Sequence, residues 1–237
     1  MSLLQDLLSL VAAGTLMVSG TLNTAAPQHD VSGNLFLVNR QWMVTESYIP
    51  SDLIQAQVPG QVRRMKAEAA AALEEMFAAC KKETGATLIS ISGYRSWSKQ
   101  NNIYRRKLRS VKGDVDKANE YVALPGASEH HLGLAMDIAQ KGKEHLSFGF
   151  GETTGGVWAK ENCWRFGFIL RYQEAWEGIT GYKYEPWHFR YVGKEWSKDI
   201  HDSGLPFETW LTGHRLEVLR GMVEAAEGKN SGKDQEP

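Results

Sequence analysis

Two histidines and two carboxylates in this chain have spacings that suit metal-assisted hydrolysis. His130 precedes Asp137 by seven residues, across a glycine-containing turn, so its imidazole can fold back over the carboxylate. Glu185 and His188 form a second pair in the string E-P-W-H. Two imidazoles and one carboxylate leave an open position on zinc, which a catalytic site needs for water. His130, Asp137 and His188 are therefore the candidate metal ligands.

The role of Glu185 depends on the local backbone. Pro186 favours an extended conformation for the residue before it, so Glu185 and His188 do not share one face of a helix. In a plain strand the two side chains diverge. Either a turn or bulge brings both to the metal, or Glu185 acts through the bound water. The second geometry suits a general base, which contacts the water rather than the metal.

Each of these residues also has a structural alternative. His188 lies in an aromatic run and can be a hydrogen-bonded core histidine, and Asp137 can cap a turn at a strand end. His131 competes with His130, but adjacent residues of an extended chain face opposite ways, so only one can serve. The remaining histidines lack suitable neighbours and are assigned to the surface or to packing: His29, His145, His201 and His214.

Composition narrows the classes of function. The 237 residues carry 27 Lys+Arg and 28 Asp+Glu, a formal net charge of -1. This balance offers no positive surface for phosphate backbones or anionic membranes, so we expect no nucleic-acid binding and no stable membrane insertion of the catalytic domain. Cys80 and Cys163 are too few for a multi-thiolate site, so His and carboxylate must hold any metal. A disulfide between them is open, although two buried free thiols are expected. We expect a monomer.

Three segments are predicted along the chain. Residues 1–27 contain an apolar run at 7–18 followed by small residues, which is typical of the end of a secretory signal. The match is weak because no basic residue precedes Arg40, and the run is too short to span a bilayer comfortably. Residues 28–227 form one predicted domain, and residues 228–237 a polar tail that we expect to be disordered.

Hydrophobic spacing predicts the elements that position the candidate ligands. Apolar residues at steps of three or four predict a helix over 58–82, and β-branched residues predict a strand over 86–92. Met136 and Ile138 alternate with Asp137, which predicts a strand with one buried face from which Asp137 points away. The order of elements favours an α+β fold, a small mixed or antiparallel sheet with flanking helices. Other predicted helices cover 97–109, 114–123, 157–164, the region of Trp196 and 211–225, and another strand covers 166–171.

Four strings in this chain resemble a known enzyme family. They look like the VanY-type D-alanyl-D-alanine carboxypeptidases, zinc peptidases that trim peptidoglycan stem peptides. The strings are SGYRS (92–96), PGASEHHLGLAMDI (125–138), FGFILRY (166–172) and GYKYEPWHFRYVG (181–193). The resemblance extends over about residues 37–210 and implies the small α+β domain shared with the zinc-binding hedgehog signalling domain. It also implies removal of a terminal D-amino acid such as D-Ala from a stem peptide, with the preference for DD or LD bonds left open.

The resemblance assigns roles to the candidate residues. Glu185 matches the catalytic base of the family, and His130, Asp137 and His188 match its zinc ligands. The chain departs from the commonest pattern at His131 and Leu132, where the family more often has Gln and Thr. Neither is a matched ligand position, so the departure concerns substrate subsites rather than zinc. A cell-wall substrate implies an extracytoplasmic location.

Substrate-binding residues are also implied. Arg95 matches the residue that binds the substrate carboxylate, and a guanidinium can bind a carboxylate with two parallel hydrogen bonds. Its alternative is a structural salt bridge. Ser128 and Gln100 are implied as further polar contacts, and Trp187 is the best aromatic candidate for lining the cleft. Arg190, which follows the zinc histidine, is assigned to packing or to support of the site.

Two other functions are open at this stage. The string S-x-x-K at Ser96–Lys99 matches the nucleophile motif of penicillin-binding proteins, but the companion strings K-T-G and S-D-N do not occur. The other alternative is a non-catalytic cell-wall or protein-binding module that uses the zinc domain structurally. Glu185 argues against a pure binder, because binding needs no base beside the metal.

Overall fold

The computed structural model describes residues 33–231, and a four-stranded antiparallel sheet lies at their centre. The strands are β1 (Leu53–Gln55), β2 (Arg64–Lys66), β3 (Leu88–Ser92), β4 (Ala135–Gln140), β5 (Phe168–Tyr172) and β6 (Glu185–Tyr191). The central sheet has the order β3-β4-β6-β5, and β1 and β2 form a separate antiparallel pair. The helices are α1 (Ala67–Thr84), α2 (Trp97–Ser110), α3 (Val115–Asn119), α4 (Thr154–Asn162), α5 (Glu177–Thr180), α6 (Lys194–Ser203) and α7 (Phe207–Ser231).

One face of the central sheet packs on α1. Met136 of β4 pairs with Phe189 of β6, which pairs with Leu170 of β5, so these three side chains share a face. They lie in one buried cluster with Leu73 and Met76 of α1. The amphipathic spacing of α1 and the alternation of the strands therefore meet in a common apolar core, and the predicted α+β architecture is confirmed.

The opposite face of the sheet is also buried. Asp137 pairs with His188, and Ala135 pairs with Arg190, so Asp137, His188 and Arg190 share this second face. Asp137 does point away from Met136, as predicted, but its residue exposure is only 2%. The prediction of one buried face was wrong, because a second layer covers β4. Arg190 donates to the backbone carbonyls of the 33–36 segment there, and the start of α7 packs in the same layer.

Several element boundaries differ from the predicted ones. The helix predicted from residue 58 begins at Ala67, because 64–66 pair with 53–55 as a strand and Lys66 is extended. Its end at Gly85 agrees, since Gly85 has a left-handed φ of 76° and donates its N–H to Lys81 O. The helix predicted over 114–123 covers only Val115–Asn119, and the helix predicted over 157–164 runs instead over Thr154–Asn162, where the Thr153 side chain caps it.

The ends of the chain test the predicted segments only in part. Helix α7 reaches Ser231, so the first four residues of the predicted polar tail are helical. The predicted signal segment 1–27 and the last six residues lie outside the described residues. Between residues 33 and 231 no helix combines the length and the apolar character needed to cross a bilayer. Cys80 and Cys163 are both free and buried, as expected.

Replacing a core leucine tests the packing of α1 on the sheet. Leu73 is 0% exposed, so Leu73→Ala should lower the free energy of unfolding by about 2 to 5 kcal/mol through lost burial and a residual cavity. Leu216→Ala is the matched control, because Leu216 of α7 is 62% exposed and its truncation should change stability by less than about 0.5 kcal/mol. Urea denaturation followed by circular dichroism measures both, and equal losses would contradict this packing.

Candidate functional site

Strand pairing brings the three candidate ligands together. Asp137 and His188 are direct partners across β4 and β6, and His130 lies in the 3-10 turn Glu129–Leu132 just before β4. Gly133 ends this turn with a left-handed φ of 68°, which folds His130 back over the strand. Asp137 Oδ1 lies 3.3 Å from His130 Nε2 and 3.1 Å from His188 Nδ1. All three residues are buried, and their ligand atoms lie within 4.8 Å of one another.

Hydrogen bonds behind the imidazoles determine which nitrogen faces Asp137. His130 Nδ1 lies 2.8 Å from Gly93 O, which can only accept, so this nitrogen carries the proton. His188 Nε2 donates to Glu129 Oε2 at 3.1 Å. Neutral imidazoles in these orientations direct two nitrogen lone pairs at a carboxylate oxygen. Three converging lone pairs on two nitrogens and one oxygen fit a zinc ion with an open fourth position.

A proton competes with a cation for this position. Burial by itself lowers the pKa of His188, but hydrogen bonds to Asp137 and Glu129 outweigh it and raise this pKa to about 9. Burial, together with the charge of Arg95, instead lowers the pKa of His130 to about 4. One of the two imidazoles thus takes up a proton when no cation is bound, and metal binding must displace it.

A bulge in β6 places Glu185 beside the candidate ligands. Leu170 pairs with Phe189, but Tyr172, two residues further on, pairs with Glu185, so β6 contains two extra residues at this point. Glu185 Oε2 lies 3.8 Å from His188 Nδ1, so β6 is not the plain strand in which the two side chains diverge. Burial raises the pKa of Glu185 to about 8. The site therefore contains a carboxyl group able to exchange protons near neutral pH.

The predicted substrate-binding residues line the same cavity, which has a volume of about 180 Å³. Arg95 donates to Ser92 Oγ at 2.7 Å, to Gln100 Oε1 at 3.4 Å and to Asp137 Oδ2. Gln100 is anchored in turn by its amide, which donates to Ala123 O at 2.7 Å. Gln100 thus orients the guanidinium as well as lining the cavity. The other two predicted contacts, Ser128 and Trp187, also line this cavity.

Comparison with known proteins identifies the family. The sequence model described as "VanY: D-alanyl-D-alanine carboxypeptidase" matches residues 62–194, more than half of the chain. The chain belongs to this family. Among curated VanY relatives, the "Putative carboxypeptidase YodJ" of Bacillus subtilis is 45% identical over 184 residues, covering 75% of this chain and 66% of that protein. A D-alanyl-D-alanine carboxypeptidase of Enterococcus faecalis is 36% identical over 202 residues, covering 81% of this chain and 70% of the relative.

Solved structures agree with the VanY assignment. The LdcB LD-carboxypeptidase superposes with a TM-score of 0.71 at 44% identity, covering 76% of this chain and 86% of that chain. A variant of the D,D-pentapeptidase VanY from the VanB-type resistance cassette, in complex with Zn(II), gives a TM-score of 0.65 at 36% identity. That match covers 75% of this chain and 98% of the VanY chain. The resemblance inferred from the four strings is therefore confirmed.

The sequence did not reveal Glu129 as a residue that supports the VanY-type site. Its carboxylate accepts from His188, from Arg171 Nε at 2.8 Å and from Arg190 Nη1 at 3.0 Å. Burial by itself raises the pKa of Glu129, but the charges of Arg171 and Arg190 hold this pKa well below its usual range. A carboxylate directly before a candidate ligand was the available signal, but its three partners lie on β5 and β6, more than 40 positions away. Arg190 does support the site.

His131 does not join the candidate ligands, but the predicted reason was wrong, because residues Glu129–Leu132 form a 3-10 turn rather than an extended chain. Its Nδ1 lies 2.7 Å from Arg95 O, and its Nε2 accepts from Gly126 N at 3.0 Å. The ring also stacks on Trp97 at a centroid distance of 6.0 Å. His131 therefore ties the SGYRS segment, which carries Arg95, to the turn that precedes the candidate ligands.

The S-x-x-K string and the remaining described histidines lie in caps, aromatic stacks or exposed positions rather than in the candidate site. Ser96 Oγ caps α2 by accepting from Lys99 N at 3.3 Å, and Lys99 is exposed, so S-x-x-K here is a helix cap rather than a nucleophile motif. His201 stacks on Trp164 and His214 stacks on Trp210, while His145 is exposed. His29 lies outside the described residues.

The convergence of donors predicts one divalent cation per chain. After dialysis against zinc and then metal-free buffer, elemental analysis should give a 1:1 ratio for the wild type. His130→Ala and His188→Ala should each abolish stoichiometric binding, because two protein ligands rarely hold zinc. His201→Ala is the matched control, since His201 is exposed and stacks only on Trp164, and it should keep the ratio. Full zinc content in His188→Ala would contradict the site.

Proposed function

We propose that this chain is a zinc carboxypeptidase that removes a terminal D-amino acid from peptidoglycan stem peptides. The observation that carries the proposal is the convergence of His130, Asp137 and His188 beside the half-buried Glu185 in one cavity. VanY family membership supports the reaction class, and the Enterococcus faecalis relative is named for the D-alanyl-D-alanine bond. The chain spans 66% of the Bacillus relative's length. Because peptidoglycan lies outside the cytoplasm, we place the reaction there.

Proton transfer is assigned to Glu185. Zinc, when bound by the three ligands, supplies a Lewis acid that lowers the pKa of water to about 7. The Glu185 carboxylate accepts a proton from the attacking water and returns it to the leaving amino group of the terminal D-amino acid. Burial raises the pKa of Glu185, and a more basic carboxylate is a better acceptor for the proton of water.

Recognition of the free C-terminus is assigned to Arg95. The Arg95 side chain is 15% exposed and lines the cavity, and Ser92 and Gln100 hold its guanidinium in orientation. The cavity of about 180 Å³ is smaller than the 300 to 1,000 Å³ of most ligand pockets, as expected for a site that accepts only a peptide terminus. Trp187 packs on Phe148 at a centroid distance of 5.7 Å. Its ring forms an aromatic wall for the substrate residues that precede the C-terminal one.

Glu185→Gln tests the base. The variant keeps the shape of the side chain and all three zinc ligands, so we expect wild-type zinc content. Turnover should fall by about 100- to 10,000-fold, because the amide cannot accept the proton. Mass spectrometry of a stem pentapeptide measures the release of D-Ala. Glu144→Gln is the matched control, since Glu144 is exposed and outside this cavity, and it should retain activity. Equal turnover in Glu185→Gln and wild type would refute the assignment.

Arg95→Ala tests carboxylate recognition. Loss of charge-assisted hydrogen bonds should raise KM for peptides with a free C-terminus by about 10- to 100-fold. Zinc content is measured in parallel, because Arg95 also contacts Asp137. Arg105→Ala on the exposed side of α2 is the control. The wild type should cleave penta- or tetrapeptide stems with free C-termini and leave amidated ones intact. Comparable cleavage of amidated peptides would rule out a carboxypeptidase.

A further inference from the structure

The buried Glu129 carboxylate has a fixed orientation. Its Oε2 accepts from His188 Nε2, and its Oε1 accepts from both Arg171 Nε and Arg190 Nη1. The Glu129 side chain is 0% exposed, so water cannot replace a lost partner. Rotation of the carboxylate would break bonds to two arginines at once. His188 is therefore held from behind by a group that cannot turn with it.

Arg171 continues this connection to the C-terminal helix. Its Nη1 donates to Glu208 Oε2 at 3.0 Å, and its Nη2 donates to Glu208 Oε1, which makes a two-point contact with the first turn of α7. Arg171 is 1% exposed, whereas Glu208 is 17% exposed. The ring of Phe207 lies 5.4 Å from the Arg171 guanidinium carbon. A hydrogen bond from His188 to Glu129 thus continues as a chain of ion pairs from Glu129 through Arg171 to Glu208 of α7.

We propose that Glu129, Arg171 and Glu208 are positioning residues for the metal centre, which fix the His188 ring with Nδ1 toward the metal and couple zinc affinity to the docking of α7. The inference rests on the proposed zinc function. Each acts through His188: Glu129 contacts it directly, Arg171 contacts Glu129, and Glu208 contacts Arg171. Partners that orient a metal-binding histidine typically contribute about 10- to 100-fold in metal affinity.

A purely structural role makes a different prediction. Buried ion pairs do not in general stabilise a fold more than apolar residues of the same volume. If the chain of ion pairs only held α7 in place, its loss would lower the melting temperature of the metal-free and zinc-loaded protein equally. A positioning role also makes the zinc-induced rise in melting temperature smaller, since that rise depends on zinc affinity.

Glu208→Gln is the decisive variant, because it changes the end of the chain of ion pairs furthest from His188. We expect its zinc Kd, measured by competition with a chromophoric chelator, to rise by about 3- to 10-fold. Glu129→Gln should raise the Kd by about 10- to 100-fold. Glu83→Gln is the matched control. Glu83 makes the same two-point contact with an arginine, Arg165, but neither residue lines the cavity of the candidate ligands, so the zinc Kd of Glu83→Gln should stay within about twofold of wild type.

The full-length chain is used throughout, and circular dichroism of the metal-free protein verifies that each variant folds. The proposal is overturned if Glu208→Gln keeps the wild-type Kd and the wild-type zinc-induced rise in melting temperature. It is also overturned if Glu83→Gln weakens zinc binding by the same factor. If Glu129→Gln does not fold, the comparison of Glu208→Gln with Glu83→Gln still decides the question. A wild-type chain that binds no zinc overturns the proposed function itself, whereas unaffected variants of a zinc-binding wild type overturn only this inference.

Discussion

The buried negative charge of Asp137 must be stabilised by pairing and hydrogen bonds. The groups that provide them make up most of the site. An ionised carboxylate at 2% exposure is costly unless it is paired and hydrogen-bonded. His130, His188 and Arg95 supply the partners, and each comes from a different segment of the chain. Pairing of β4 with β6 places His188 opposite Asp137. A slip of one residue would turn Asp137 into the apolar core. The site therefore forms only in the observed sheet register.

The two faces of the central sheet have different roles: one stabilises the fold, and the other carries the polar residues of the site. The face on α1 is apolar and supplies the driving force for folding. The other face carries Asp137, His188 and Arg190, and is sealed by the 33–36 segment and the start of α7. Sealing lowers the local dielectric, which strengthens every interaction between charges on that face. It also makes each unpaired group expensive, and this explains why the arginines there have several partners each.

Local patterns in the sequence were sufficient to predict β3, β4 and β5 and to select the candidate ligands, but not to predict β1 and β2. Alternation around Met136 and the string E-P-W-H depend on residues close in the chain, so they can be read from it directly. The start of α1 could not be read, because Met65 fits a helical spacing although pairing with Ile54 makes it part of a strand. Glu129 escaped notice for a related reason. Its role comes from arginines on β5 and β6, and its position directly before His130 does not by itself reveal those distant partners.

The two extra residues in β6 separate two properties that would otherwise be inherited together. Pairing of β4 with β6 at His188 lies on one side of the irregularity, and Glu185 lies on the other. A descendant chain that lost both residues would regain a regular ladder next to Tyr172 while leaving the histidine in register with its aspartate. The irregularity therefore makes the position of the Glu185 carboxyl group independent of the strand pairing that sets His188 against Asp137.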